Sequence, residues 1–207
     1  GELECLHSVL GYICLSFIRS PPDIYEPEAQ EHIMRRQDDP TSLPAWLAKP
    51  WVQVSEMLER RPMLDYAGCV LNNWERLDPD GPVVPTNIRL LRRFTGLVDE
   101  EWFFKTHIII ESEGAHVVRS LCRVVSAMES RDLPEILQEL HALEQALWRV
   151  ASVCLPIMYA RSRDEMPLCE PFMFFFRLRP FIKTLNVEFE GCDSVPSNLH
   201  GPSGAMS

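Results

Sequence analysis

A chain of 207 residues, 46% apolar and 24% charged, can bury a substantial hydrophobic core and lacks the composition of a disordered protein. Its net charge of −10 argues against nucleic acid or an anionic membrane surface as a partner. Apolar runs such as residues 108–110 and 172–176 are far too short to span a bilayer.

The opening Gly1-Glu2-Leu3-Glu4 has no basic start of the kind a secretory signal needs. Seven cysteines (Cys5, Cys14, Cys69, Cys122, Cys154, Cys169 and Cys192) are scattered without a CxxC pair. That spacing excludes a zinc ribbon and a thioredoxin-like motif, and it implies reduced, mostly buried thiols in a cytoplasmic protein.

Leu3, Leu6, Leu10, Ile13 and Phe17 recur at helical spacing, so the chain is expected to begin inside an amphipathic helix that stops before Pro21-Pro22. Residues 21–42 read as a long connection, with a short helix over 28–36. Pro50 suits the first turn of a helix running to about Glu59. Residues 63–74 read as a further helix, closed by the turn Asp78-Pro79-Asp80-Gly81-Pro82.

Asp99-Glu100-Glu101 places negative charge at the start of a long helix reaching about Met128. Asp132 before Pro134 opens the next, which carries Leu133, Leu137, Leu140, Leu143 and Leu147 on one stripe until Pro156 ends or kinks it. Pro171 opens a helix through Phe174 and Arg179 that is interrupted at Pro180. Residues 186–207 read as a Gly/Pro/Ser loop region, and both ends look cut, although the last seven residues also read as an expression scar. The expected fold is a single all-α domain over 1–207, a helical bundle.

Six histidines (His7, His32, His107, His116, His141 and His200) show no zinc-binding spacing. His107 stands in an apolar stretch and shares a helix face with Phe103, four residues earlier. By pattern it reads as a core histidine satisfied by a backbone carbonyl, with a functional role as the alternative. Arg177 and Arg179 follow the aromatic run 172–176. Such arginines either snorkel to the surface or grip a carboxylate through two parallel N–H bonds, and Phe175 and Arg179 would face the same way. The terminal loop from His200 to Ser207 is either a solvent-exposed tail or a stretch of small residues able to approach a ligand closely.

Taken in order, these segments resemble the indoleamine 2,3-dioxygenase family. The resemblance rests on Leu43-Pro44-Ala45-Trp46-Leu47-Ala48-Lys49-Pro50-Trp51 and on Pro62-Met63-Leu64-Asp65-Tyr66-Ala67-Gly68-Cys69-Val70-Leu71-Asn72-Asn73-Trp74 with Asp78-Pro79. It continues through Phe103-Phe104 with Glu111, Arg179-Pro180-Phe181, Phe189-Glu190-Gly191 and the Gly-Ser loop.

The resemblance implies a b-type haem dioxygenase that inserts both atoms of O2 across the C2–C3 bond of the indole of L-tryptophan, or a related indole, giving N-formylkynurenine. It implies that Tyr66, Cys69, Val70 and Phe103 line the indole site, that Phe174 packs on the substrate, and that Arg179 holds its carboxylate. Ser203, Gly201 and Gly204 would sit beside the haem edge and the substrate ammonium, with Phe104 also toward the haem. His107 falls where many members carry a small hydroxyl residue and where the related tryptophan dioxygenases carry histidine, which implies a distal role beside the indole N–H rather than metal ligation. Pro202 and Met206 replace the more usual glycine and glutamine.

No histidine of this chain matches the family's proximal haem ligand, and the small N-terminal domain has no counterpart. The expectation is therefore a large-domain portion whose haem site is completed by a further C-terminal segment or a second polypeptide, and which alone does not hold haem in an active five-coordinate state. The other readings are an O2-binding haem protein of the same fold and a degenerate, non-catalytic helical domain.

Overall fold

The computed structural model describes residues 1–19, 41–182 and 185–199. These residues form two compact units: one draws on 1–73, 92–96 and 171–199, the other on 74–91 and 97–170. The expected short helix over 28–36 and the loop residues Gly201, Ser203 and Gly204 lie outside the described residues. Both units are predominantly helical, as the periodicity predicts, and each carries a small sheet that it does not predict.

In the first unit, α1 (Glu2–Arg19) and α2 (Ala45–Met57) pack on a three-stranded sheet. There β1 (Thr41–Leu43) runs parallel to β4 (Leu185–Phe189), and β4 pairs antiparallel with β5 (Asn198–Leu199). Residues 186–199 are therefore not all loop. Leu185, Val187 and Phe189 turn inward while Asn186 and Glu188 face out, the period-two alternation of a half-buried strand.

The helix expected from Pro50 begins five residues earlier, after an extended Pro44 whose carbonyl accepts from the Leu47 and Ala48 amides. Pro50 thus sits inside α2 and denies a bond to the Trp46 carbonyl. Trp46 is on the exposed side of the helix, where water can replace that bond.

Trp51 is the largest fully buried side chain of this unit. Its ring meets Phe189 at 6.0 Å and His7 at 6.3 Å between centroids. Gly11 lets α1 approach closely, because a Cβ there would lie 3.0 Å from Leu64 Cδ1 and 3.4 Å from Trp51 Cζ2.

In the second unit, β2 (Trp74–Arg76) and β3 (Ile88–Leu90) form an antiparallel hairpin. Its turn is held by Asn87, whose side chain accepts from the Asp78 amide and donates to the Asp78 and Pro82 carbonyls. The long helix α3 (Val98–Ser130) ends in a left-handed cap at Arg131. Asp132 then caps α4 (Leu133–Arg149) by accepting from the Glu135 amide at 3.1 Å, as the sequence predicts.

The two long helices pack antiparallel. The Arg149–Glu113 pair (2.6 Å) and the Arg123–Glu139 pair (3.4 Å) run in opposite chain order along them. Val117, Val124 and Ala127 of α3 and Ala146 of α4 are buried.

Both suspected proline interruptions become π turns. Residues Val150–Cys154 and Phe174–Leu178 each form one, closed by Leu155 N–H to Val150 O and by Arg179 N–H to Phe174 O. The residue whose N–H closes each turn, Leu155 or Arg179, is followed directly by a proline, Pro156 or Pro180. The wider turn relieves the clash of the proline ring with the carbonyl four residues back. Of the helix expected over 63–74 only a short helical segment with the third π turn, Ala67–Leu71, forms, and Trp74 already belongs to a strand.

His7 is 1% exposed. Its Nε2 lies 3.3 Å from the Arg61 carbonyl, while Nδ1 is buried without a hydrogen-bond partner. Burial holds its pKa below the ordinary 6.5. Because the unfolded chain binds the proton more readily, this contribution to stability is complete above about pH 6.5 and is lost as pH falls below it. Melting temperature is expected to drop on acidification from pH 8 to 5.5, and less steeply for His7→Gln. Equal slopes for the two proteins would show that His7 does not titrate this way.

Candidate functional site

The sequence-predicted site residues fall in both units. In the first unit, Tyr66 is half-buried at the entrance to the π turn Ala67–Leu71, in which Cys69 and Val70 are 3% and 2% exposed. Asp65 caps this turn by accepting from the Gly68 amide at 2.8 Å, and it pairs with Arg60 at 3.5 Å. From α1, Ser8 donates to the Gly68 carbonyl at 3.1 Å, and the Ser8 side chain is buried. The segment carrying Tyr66, Cys69 and Val70 is therefore held at Gly68 through both its amide and its carbonyl. Asp65 and Ser8 escape sequence reading, although an aspartate three residues before a glycine amide is a capping signal.

Also in this unit, short α turns Pro171–Met173 and Arg179–Ile182 flank the π turn Phe174–Leu178. Phe174 is half-buried, and Leu178 and Phe181 anchor the segment in the core. Phe181 stacks on Phe94 at 4.5 Å, and Phe94 in turn stacks on Tyr12 at 4.3 Å.

Arg179 is exposed, with its guanidinium 5.6 Å from the centroid of Phe175, which confirms the shared face expected from their spacing. Among the described residues no carboxylate pairs with Arg179. A guanidinium steadied by an aromatic ring and not committed to an ion pair is chemically suited to take an external carboxylate.

In the second unit, Phe103 and His107 lie one turn apart on α3, with ring centroids 4.3 Å apart. His107 Nδ1 is 2.8 Å from the Phe103 carbonyl. A carbonyl only accepts, so Nδ1 carries the proton and the lone pair of the neutral ring sits on Nε2. Burial pushes the imidazole below its ordinary pKa, which keeps it neutral near pH 7. The backbone satisfaction expected of a core histidine is thus present, and it also fixes the tautomer that a distal acceptor needs.

Phe104 is 2% exposed, with its ring edge-on to Phe103 at 5.4 Å. Thr106, which the sequence did not single out, is fully buried and donates to the Trp102 carbonyl at 2.9 Å. Trp102 in turn donates from its indole nitrogen to the Ile157 carbonyl at 2.7 Å, tying the start of α3 to the segment after α4. Among the described residues no group of three or more His, Cys, Asp or Glu could hold a metal ion. No described helix is long and apolar enough to cross a membrane.

The family model for indoleamine 2,3-dioxygenase matches residues 2–207. An indoleamine 2,3-dioxygenase 1 of Mus musculus is 27% identical over 97% of this chain and 46% of its own length. The Saccharomyces cerevisiae indoleamine 2,3-dioxygenase is 26% identical over 87% of the chain and 36% of its own length. A 6-hydroxytryptophan 2,3-dioxygenase of Fusarium equiseti is 29% identical over 88% and 40% respectively. The chain thus spans less than half the length of these relatives, and the match of the family model along nearly all of it shows that it belongs to the indoleamine 2,3-dioxygenase family.

Proposed function

We propose that this chain is the substrate-recognising part of a haem dioxygenase that opens the indole ring of L-tryptophan or a close relative, giving N-formylkynurenine from L-tryptophan. The observation that carries the reading is His107, held neutral with its lone pair on Nε2 by the bond from Nδ1 to the Phe103 carbonyl. An indole N–H needs an acceptor of this kind, and an apolar helix face bearing Phe103 suits the flat ring beside it.

The chemistry fits the reacting side of a haem, since a histidine whose Nδ1 donates to its own helix has its one basic nitrogen at Nε2. Ser203, Gly201, Gly204 and Phe104 are the residues proposed to lie toward the haem. When bound, the haem supplies O2 activation, chemistry that no side chain in this set can perform. Arg179 receives the substrate carboxylate, Phe174 packs on the substrate, and Tyr66, Cys69 and Val70 form an apolar wall for the indole. His107 accepts the N–H hydrogen bond and orients the ring. A further segment or a second polypeptide would complete the haem site. Arg179 favours the enzyme over an oxygen carrier of the same fold, since an oxygen carrier needs no clamp for a carboxylate.

The reading is tested with the haem-loaded natural gene product. A Soret band that shifts on addition of L-tryptophan, together with formation of N-formylkynurenine, is the expected result. His107→Ala should lower turnover roughly tenfold, the kinetic equivalent of one hydrogen bond of about 1.4 kcal/mol. An unchanged rate would leave His107 as a structural residue only.

A further inference from the structure

In the first unit, α2 ends in a backward turn with an uncommon residue at its hinge. Glu59 stands at φ 55°, the left-handed conformation that helix ends usually give to glycine. Its amide donates to the Glu56 carbonyl at 3.0 Å, and the Arg60 amide donates to the Ser55 carbonyl at 2.8 Å. These two bonds fix the turn, and Arg60 and Arg61 border the same cavity as Ser55 and Glu56. The segment leading into β5 supplies the rest of the wall. The cavity measures about 480 Å³, within the range of small-ligand sites, and shares no lining residue with those proposed for the indole or the haem.

Two opposite charges border this cavity without a partner. Arg60 is already engaged by Asp65 at 3.5 Å. Arg61 and Glu56 are exposed, and among the described residues the side chain of neither forms an ion pair or a hydrogen bond. The main chain of Arg61 is nonetheless held. Its carbonyl accepts from the Met63 amide at 2.8 Å and lies 3.3 Å from His7 Nε2. A cation on a fixed backbone loses less freedom on binding than one on a loose loop.

The lining also selects the ligand. A purely anionic ligand would meet the Glu56 carboxylate, and a purely cationic one would meet the arginines, whereas a zwitterion satisfies both signs. The apolar wall, made by Val52, Pro62, Val195, Pro196 and Leu199, is aliphatic, and among the described residues no aromatic ring borders the cavity. We propose that this cavity binds a free α-amino acid with an aliphatic side chain, its carboxylate on Arg61 and its ammonium on Glu56. The inference rests on the cavity alone, not on the proposed haem reaction.

The test is calorimetric titration of the natural gene product with L-leucine and with two analogues of single charge. Isocaproate keeps the carboxylate and lacks the ammonium, and isoamylamine keeps the ammonium and lacks the carboxylate. Saturable binding of L-leucine is expected, with both analogues at least about tenfold weaker. Arg61→Ala and Glu56→Gln should each weaken leucine by roughly tenfold or more. Ser194→Trp keeps both charges but fills the cavity, and it should abolish binding. All three positions are exposed, so the core is undisturbed, which circular dichroism verifies.

No saturable binding of leucine, isocaproate bound as tightly as leucine, or unchanged affinity in Arg61→Ala or Glu56→Gln would each overturn the proposal. Loss of leucine binding in Arg179→Ala would also overturn it, by placing the amino acid at the indole site instead. The two readings fail separately. Leucine binding in a protein that does not turn over tryptophan would sink the enzymatic reading alone, and turnover without leucine binding would sink this site alone.

Discussion

Asn73→Ala is expected to destabilise the unit that contains it by about 3 kcal/mol, while Asn72→Ala beside it stays within about 0.5 kcal/mol of wild type. Asn73 is fully buried. Its amide nitrogen donates to the Tyr12 hydroxyl at 2.9 Å and to the Arg92 carbonyl at 3.0 Å, and its amide oxygen accepts from the Arg92 N–H at 3.0 Å. Three bonds thus join α1, the segment after the π turn and the 92–96 segment. Truncation deprives the Arg92 amide and carbonyl of their shared partner inside the protein. Groups left unpaired in a buried site cost more than the hydrogen bond itself was worth.

Asn72 is exposed, and its recorded bond runs from the backbone N–H to the Ala67 carbonyl, which alanine preserves. For a chain of this size about 3 kcal/mol corresponds to a fall in melting temperature of roughly 6–12 °C. Thermal unfolding followed at 222 nm measures both variants. A fall for Asn73→Ala no larger than that for Asn72→Ala would show that the three bonds carry no net stability.

The contrast between these neighbouring asparagines marks what local sequence can convey. The helices α1, α3 and α4 were legible because their signals are local: leucines at helical spacing, acids at the start of α3, and Asp132 three residues before the amide it caps. The three-stranded sheet was not, because β1 at 41–43 finds its parallel partner at 187–189, and short strands carry little signal without their neighbours. The alternation of Leu185, Val187 and Phe189 was nevertheless present in the sequence. Pro50 misled because a proline suits the first turn of a helix, yet α2 tolerates it five residues further in.

Within the candidate site, the shared face of Phe103 and His107 and that of Phe175 and Arg179 followed from four-residue spacing. The tautomer of His107 and the tethering of the Tyr66 segment by Ser8 depend on atomic distances, and the Ser8 contact crosses 60 residues of chain.

Arg179→Ala in the haem-loaded natural protein is expected to reduce kcat/KM for L-tryptophan roughly 100-fold, since charge-assisted bonds to a carboxylate are worth about 2–3 kcal/mol. The guanidinium is poised for that role: it is exposed, lies over Phe175 and has no carboxylate partner among the described residues. Its segment is rooted by the buried Leu178 and Phe181, so truncating an exposed side chain leaves the fold intact apart from the arginine–aromatic contact, worth about 0.5–1 kcal/mol.

Arg179→Lys keeps the charge but loses the two-pronged geometry and should recover part of the activity. Arg177→Ala, two residues away and on a different side of the turn, should change little. The decisive comparison uses tryptamine, which has the indole and the ammonium but no carboxylate. Wild type and Arg179→Ala should then differ by less than about twofold, because the interaction removed by the substitution is already missing from the ligand. A loss as large with tryptamine as with tryptophan would mean that Arg179 supports the site by position alone and holds no carboxylate.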